Sequence, residues 1–161
     1  KTYWLGFDLR HRRADGVRIV YSPFNFRRDW KWVNSQVSIL HSEDTVGLMA
    51  IDADKRLPVG ACIMDNWTNN SVQCHFMLTT PMLLKHRFLE ECFGFMFKHQ
   101  NVNFVYGLVP ANNDKAVKLN THMGFTVKTR LEEAYDVGVD FLLMQLKRED
   151  CRYITELKAV A

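Results

Sequence analysis

The sequence predicts a single α/β (α+β) domain on a mixed, mostly antiparallel sheet with flanking helices. Three β-type runs, Val46–Ile51, Val59 to about Trp67 and Val72–Thr79, follow one another through the turns "DADK" and "WTNN". Such spacing is an antiparallel meander. A further run at about Asn103–Val109 is followed by a capped helix and another run from Phe125, a strand-helix-strand crossover. A crossover within an otherwise antiparallel set requires a mixed sheet whose faces are covered by helices. The 161 residues, 47% hydrophobic and 24% charged, suffice for one core spanning residues 1–161.

Residues 2–21 hold two short extended runs around "RADG" (Arg13–Gly16), whose Asp-Gly suits a hairpin turn. Residues 1–24 therefore read as a basic N-terminal extension or hairpin. From Asn25 to about Leu40, Phe26, Trp30, Val33, Val37 and Leu40 recur at helical spacing. After the meander, Pro81 ends the third strand. A helix is expected from about Leu84 to His99, with Phe88, Leu89, Cys92, Phe93, Met96 and Phe97 as its apolar stripe. In "PANNDKAVKLNTHMGF" (Pro110–Phe125), Asn112 or Asn113 can cap a helix whose Ala116, Val117, Leu119 and Met123 share a packed side. Gly124 supplies a left-handed stop. The last strand is expected at Phe141–Lys147.

Cys62, Cys74, Cys92 and Cys151 lie inside apolar runs without CxxC spacing, as reduced core thiols do. The six histidines show no HxxxH or His/Cys ligand spacing, so no metal is expected. No apolar run reaches the roughly 18 residues of a membrane span, and no signal-peptide pattern opens the sequence. The expectation is a cytoplasmic protein with no membrane partner. Residues 1–31 carry a charge of +5 and the remainder −2, with "RHRR" (Arg10–Arg13) the densest cluster. A solvated face and a site for an anionic partner both fit it. No interleaved aromatic pattern supports a nucleic-acid platform.

The block "NDKAVKLNTHMGF" (Asn113–Phe125) resembles the N-x-x-A-x-x-L-x-x-x-x-G-F signature of the GNAT (GCN5-related) N-acetyltransferases. "VGACIMDNWTNNSVQCHFML" and "DFLLMQLKREDCRYI" resemble the RimJ/RimL-like and phage- or prophage-encoded members, and the likeness covers roughly residues 30–153. It implies the GNAT fold, with a splayed parallel pair formed by the 72–79 and 103–109 strands. It also implies acetyl-CoA (acyl-CoA) as co-substrate, without a metal. Acyl transfer would go to an amine of a protein or small molecule, in the host cytoplasm if the chain is phage-encoded. Backbone groups of Cys74, Phe76, Met77 and Leu78 would pair with the pantetheine arm as an added strand. The loop Leu84, Lys85, His86, Arg87 would meet the CoA phosphates, and Asn113 would border the cofactor.

Two positions depart from the family pattern. Its phosphate loop is glycine-rich, whereas residues 82–88 contain no glycine; Lys85, His86 and Arg87 would replace backbone contacts with charge. The position of the family's thiolate-protonating tyrosine is Asn120, which cannot donate a proton. His75 is the candidate base, on the strand side shared with Gln73 and Met77, with a structural histidine as the alternative. Glu132 and Glu133 read as acceptor-side or solvated charges. An inactive GNAT-fold protein that binds and modulates a host protein is the second reading.

Overall fold

The computed structural model describes residues 12–14 and 16–154. The chain begins with β1 (Arg12–Ala14), β2 (Val17–Pro23) and α1 (Phe26–Gln36). The meander follows as β3 (Val46–Asp52), β4 (Leu57–Asp65) and β5 (Ser71–Leu78). A 3-10 turn (Pro81–His86) leads into α2 (Phe88–Gly94), which continues as a π turn, Phe95–His99. Then come β6 (Phe104–Pro110), α3 (Asp114–Met123), β7 (Thr126–Asp136) and β8 (Val139–Lys147). The eight strands of the described residues form one sheet in the order β1-β2-β3-β4-β5-β6-β8-β7, in which β5–β6 is a parallel pair. This is the expected mixed, mostly antiparallel sheet. Of the basic cluster "RHRR", only the strand placement of Arg12 and Arg13 is described, and the rest of it lies outside the described residues.

Two apolar layers sandwich the sheet. On one face Cys62, Met64, Val72, Cys74, Val105, Met144 and Leu146 pack with Phe88, Phe93, Met96 and Phe97 of α2 and its π turn. Ala116, Val117 and Leu119 of α3 rest on that layer, and Met123 is buried in it. On the opposite face Met49, Ala61, Ile63 and Met77 bury Val33 of α1, with Trp30 and Trp32 beside it. Strand alternation divides the two sets, because successive side chains point to opposite faces.

The helix ends follow local chemistry. Asn25 Oδ1 accepts from the Arg28 amide at 3.1 Å, and the buried Asp29 carboxylate accepts from the Asn25 amide at 2.8 Å. α1 stops at Gln36 rather than Leu40, because Val37 turns extended (φ −146°, ψ 140°) and packs, with Ile39, against the α1-side core. The helix expected over Leu84–His99 is also interrupted. Arg87 adopts a left-handed conformation (φ 61°, ψ 27°) between the 3-10 turn and α2, so Leu84–His86 lie outside the α-helix. The break turns His86 inward, where its carbonyl accepts from the Tyr21 hydroxyl at 2.7 Å. α3 is capped by Asn113, whose side chain accepts from the Ala116 amide at 3.1 Å. It ends at Gly124 (φ 103°), followed by the Phe125 amide bonding back to the Asn120 carbonyl at 3.0 Å.

The feature that positions the site is an unfinished ladder. β5 and β6 pair through Ser71–Phe104, Val72–Val105 and Gln73–Tyr106. Beyond that rung, β5 stays with β4 as far as Gly60–Leu78, and β6 stays with β8 as far as Pro110–Phe141. The two strands therefore part, and a V-shaped cleft opens between Cys74–Leu78 and Gly107–Pro110. A Cβ at Gly107 would stand 3.5 Å from the Cys74 carbonyl oxygen, an ordinary van der Waals contact, so the two strands are still close just past the last rung.

Gly124→Ala places a Cβ on a left-handed residue, which costs at least about 1 kcal/mol. Thermal unfolding should shift down by about 2 to 4 °C for each such kcal/mol in a domain of this size. An unchanged melting temperature would contradict the left-handed stop.

Candidate active site

Cys74, Phe76 and Leu78 point into or toward the α2-side core, and Met77 is buried on the α1 side. What these residues offer the cleft is backbone. Their β4-side edge is paired and their β6-side edge is open, a free strand edge of the kind that accepts an extended ligand.

His75 lies on the α1 side of this segment. Its Nε2 is 3.1 and 3.0 Å from the two carboxylate oxygens of Asp65 on β4. Both acceptors belong to a carboxylate, so Nε2 carries the hydrogen and Nδ1 holds the lone pair of the neutral ring. The two side chains are 16% and 12% exposed, which screens the pair less than a surface ion pair. Asn66, in a left-handed conformation (φ 49°), donates from Nδ2 to Gln73 Oε1 at 2.7 Å and to Asp65 Oδ1 at 3.4 Å. Asp65 is thus gripped from two sides.

Tyr106 completes a polar row across the sheet. Asp65 stands opposite Gln73, Gln73 opposite Tyr106, and Tyr106 opposite Gln145. Its neighbours Val105 and Val109 belong to the α2-side core, so Tyr106 alternates to the α1 side with His75. Burial, then the charge of Asp65, pushes its phenol above the ordinary value. Neither Asp65 nor Tyr106 stands out in the sequence. Asp65 reads as one polar residue near the end of the Val59–Trp67 run and Tyr106 as one aromatic in an apolar strand; only the strand register brings them to His75.

The other sequence candidates are dispersed. Lys85 and Leu84 are exposed on the 3-10 turn, and Arg87 is half-buried at the break before α2. The first turn of α2 receives no side-chain cap. His86 is 2% exposed with neither ring nitrogen hydrogen-bonded to a described residue, so its side chain faces the interior rather than the loop surface. Asn120 donates from Nδ2 to the Ala116 carbonyl at 2.8 Å, which ties it to its own helix. Asn113 caps α3 at the rim of an open hollow of about 430 Å³, lined by Pro110, Asn112, Asn113, Asp114, Lys115 and Tyr135 at the wide end of the V. Glu132 and Glu133 are exposed on β7, and Glu133 Oε1 accepts from the Gly138 amide at 3.1 Å. Among the described residues no group of three His, Cys, Asp or Glu is arranged to hold a metal, and no helix is long and apolar enough to cross a membrane.

Cys62 and Cys92 share a hydrogen bond, and burial pushes all three thiols of Cys62, Cys74 and Cys92 up, those of Cys62 and Cys74 well above the ordinary value. Iodoacetamide at neutral pH should leave these three unmodified in the folded protein and alkylate them in urea. Rapid alkylation of Cys74 without denaturant would show that the cleft opens through the core side of β5.

No family model matches the sequence, and no curated protein matches it. Solved structures match the fold. The spermidine/spermine N-acetyltransferase SpeG from Vibrio cholerae, in complex with manganese ions, superposes with a TM-score of 0.68 at 13% identity, covering 89% of this chain and 97% of that one. The spermidine N-acetyltransferase from Vibrio cholerae in complex with CoA and spermine gives a TM-score of 0.68 at 14% identity, covering 84% and 98%. A dodecameric structure of the Vibrio cholerae spermidine N-acetyltransferase in an intermediate state gives 0.65 at 15%, covering 86% and 97%. The architecture is the GNAT fold.

Proposed function

We propose that the chain is an acyl-CoA-dependent N-acyltransferase, using acetyl-CoA and a small-molecule or protein amine. The observation that carries this reading is the His75–Asp65 pair beside an open strand edge, at the point where the parallel strands part. The fold likeness to an N-acetyltransferase solved with CoA and spermine supports it. The sequence blocks shared with RimJ/RimL-like and phage-encoded members support a place in that branch.

In this reading the amide groups of Cys74–Leu78 pair with the pantetheine arm, each hydrogen bond contributing about 0.5 to 1.5 kcal/mol net. Lys85 and Arg87 meet the phosphates from the 3-10 turn; the inward-facing His86 is left out of that contact. An amine of pKa ~10.4 must lose a proton before it attacks, at a cost of roughly 4 to 5 kcal/mol at neutral pH. His75 Nδ1 receives that proton, and Asp65 holds the ring in the required tautomer and stabilises the imidazolium. Alignment of amine and thioester in the cleft supplies more, up to about 7 to 11 kcal/mol in favourable cases.

Saturating CoA is the first test. Ligand at 100 times its Kd adds about 2.7 kcal/mol, an upward shift of roughly 5 to 10 °C for this size. A melting temperature indifferent to millimolar CoA would favour the second reading, a host-protein-binding module without turnover. The absence of glycine from residues 82–88 and the engaged Asn120 amide favour that alternative.

His75→Ala should lower acyl transfer about 10²-fold or more at neutral pH, with CoA affinity nearly unchanged. Raising the pH should shrink the loss as free amine accumulates. Replacing Lys85 and Arg87 together by Ala should weaken CoA binding roughly tenfold or more, as charge-assisted contacts are lost. Calorimetric titration reads this directly, and unchanged affinity would remove the cationic turn from the CoA site.

A further inference from the structure

We propose that Tyr106 is the proton donor to the thiolate that leaves when the thioester is cleaved. The inference rests on the transferase reading above and adds to it a catalytic residue on β6. Tyr106 belongs to the last rung before the strands part, directly opposite Gln73 and on the same face as His75. The base on β5 and the phenol on β6 therefore stand on one face of adjoining strands, at the point where the shared ladder ends.

The other described tyrosines are committed elsewhere. Tyr21 is buried and donates to the His86 carbonyl. Tyr153 stacks on Phe93 at 5.3 Å, on the α2 side, and its hydroxyl is hydrogen-bonded by Arg152. Tyr135 is 53% exposed at the rim, edge-on to Phe141. Tyr106 is half-buried, and its hydroxyl makes no hydrogen bond to a described residue. Asn120, which has no ionisable proton, remains bonded to Ala116.

The proton balance closes. The amine lone pair forms the N–C bond as the carbonyl π pair moves to oxygen, and His75 Nδ1 takes one amine proton. Collapse restores the carbonyl and breaks the C–S bond, leaving the electron pair on sulfur. Tyr106 gives its hydroxyl proton to that sulfur, and solvent carries the proton from the imidazolium back to the phenolate. The order of events assists the donor: protonated His75 offsets the charge of Asp65, which, after burial, makes the phenol a weaker acid.

A leaving-group comparison tests the assignment. Wild type, Tyr106→Phe and Asp65→Asn are assayed with acetyl-CoA and with the acetyl thioester of an acidic aryl thiol. The acceptors are a polyamine, a lysine peptide and an aminoglycoside. An aryl thiolate departs without a proton, whereas an alkyl thiolate of pKa about 8.5 gains from one. Tyr106→Phe should lower kcat with acetyl-CoA by about tenfold or more, and change the aryl rate by less than about threefold. Asp65→Asn, acting through the base, should lower both rates to a similar extent. Unchanged CoA affinity in Tyr106→Phe confirms an intact cleft. Equal losses with both donors, or no loss with acetyl-CoA, would overturn the role of Tyr106 while leaving the transferase reading in place. A wild-type chain that turns over neither donor with any of the amines would overturn both.

Discussion

The backbone ladder between β5 and β6 stops after Gln73 and Tyr106, and the arrangement of the site depends on that stop. Each strand is held along its outer side, β5 by β4 and β6 by β8, for several residues past the last shared rung. The outer pairings keep both strands extended while the inner edges separate. Peptide groups on those inner edges need water or a ligand, because a dry unpaired group costs about 1 to 3 kcal/mol. An extended amide-bearing ligand answers that need with the geometry of an added strand. The cleft is thus a consequence of sheet pairing, not of any one side chain.

Side-chain chemistry is concentrated at the closed end of the V. Asp65, Gln73, Tyr106 and Gln145 occupy successive strands at one level of the sheet, and His75 reaches Asp65 from the next level. Polar residues there interrupt the α1-side apolar layer of Met49, Ala61, Ile63 and Met77. Burying Asp65, Gln73 and His75 is tolerable because these groups are hydrogen-bonded: Asn66 bonds Gln73 and Asp65, and Asp65 bonds His75. The same mutual bonding fixes the imidazole tautomer, so stability and the proposed proton transfer draw on one network.

The turn proposed to meet the CoA phosphates is built differently from a glycine-rich loop. A 3-10 turn capped by Thr80 ends in left-handed Arg87, and it is anchored from below by Tyr21 through the His86 carbonyl. Non-glycine residues tolerate that conformation at some cost, and the surrounding packing of Leu83 and Phe88 holds it in place. Lys85 and Arg87 then present charge where glycine would present bare backbone.

Much of this molecule was legible from local sequence. The meander, the Asn113 cap, the Gly124 stop and the side of β5 on which His75 lies all follow from turn chemistry and from periods of two and 3.6 residues. These are properties of neighbours in the chain, so the chain order alone determines them. The break at Arg87 was not legible, since Leu84–Phe97 carries a helical stripe and only the packing of His86 under Tyr21 interrupts it. Nor were the partners of His75. Asp65 is ten residues away and Tyr106 lies beyond a helix; their meeting depends on the register of β4, β5 and β6. A slip of one residue would turn each to the opposite face, and register is decided by which faces the two cores bury. The sequence determined the strands and the caps, while tertiary packing alone decided which residues stand together where the strands part.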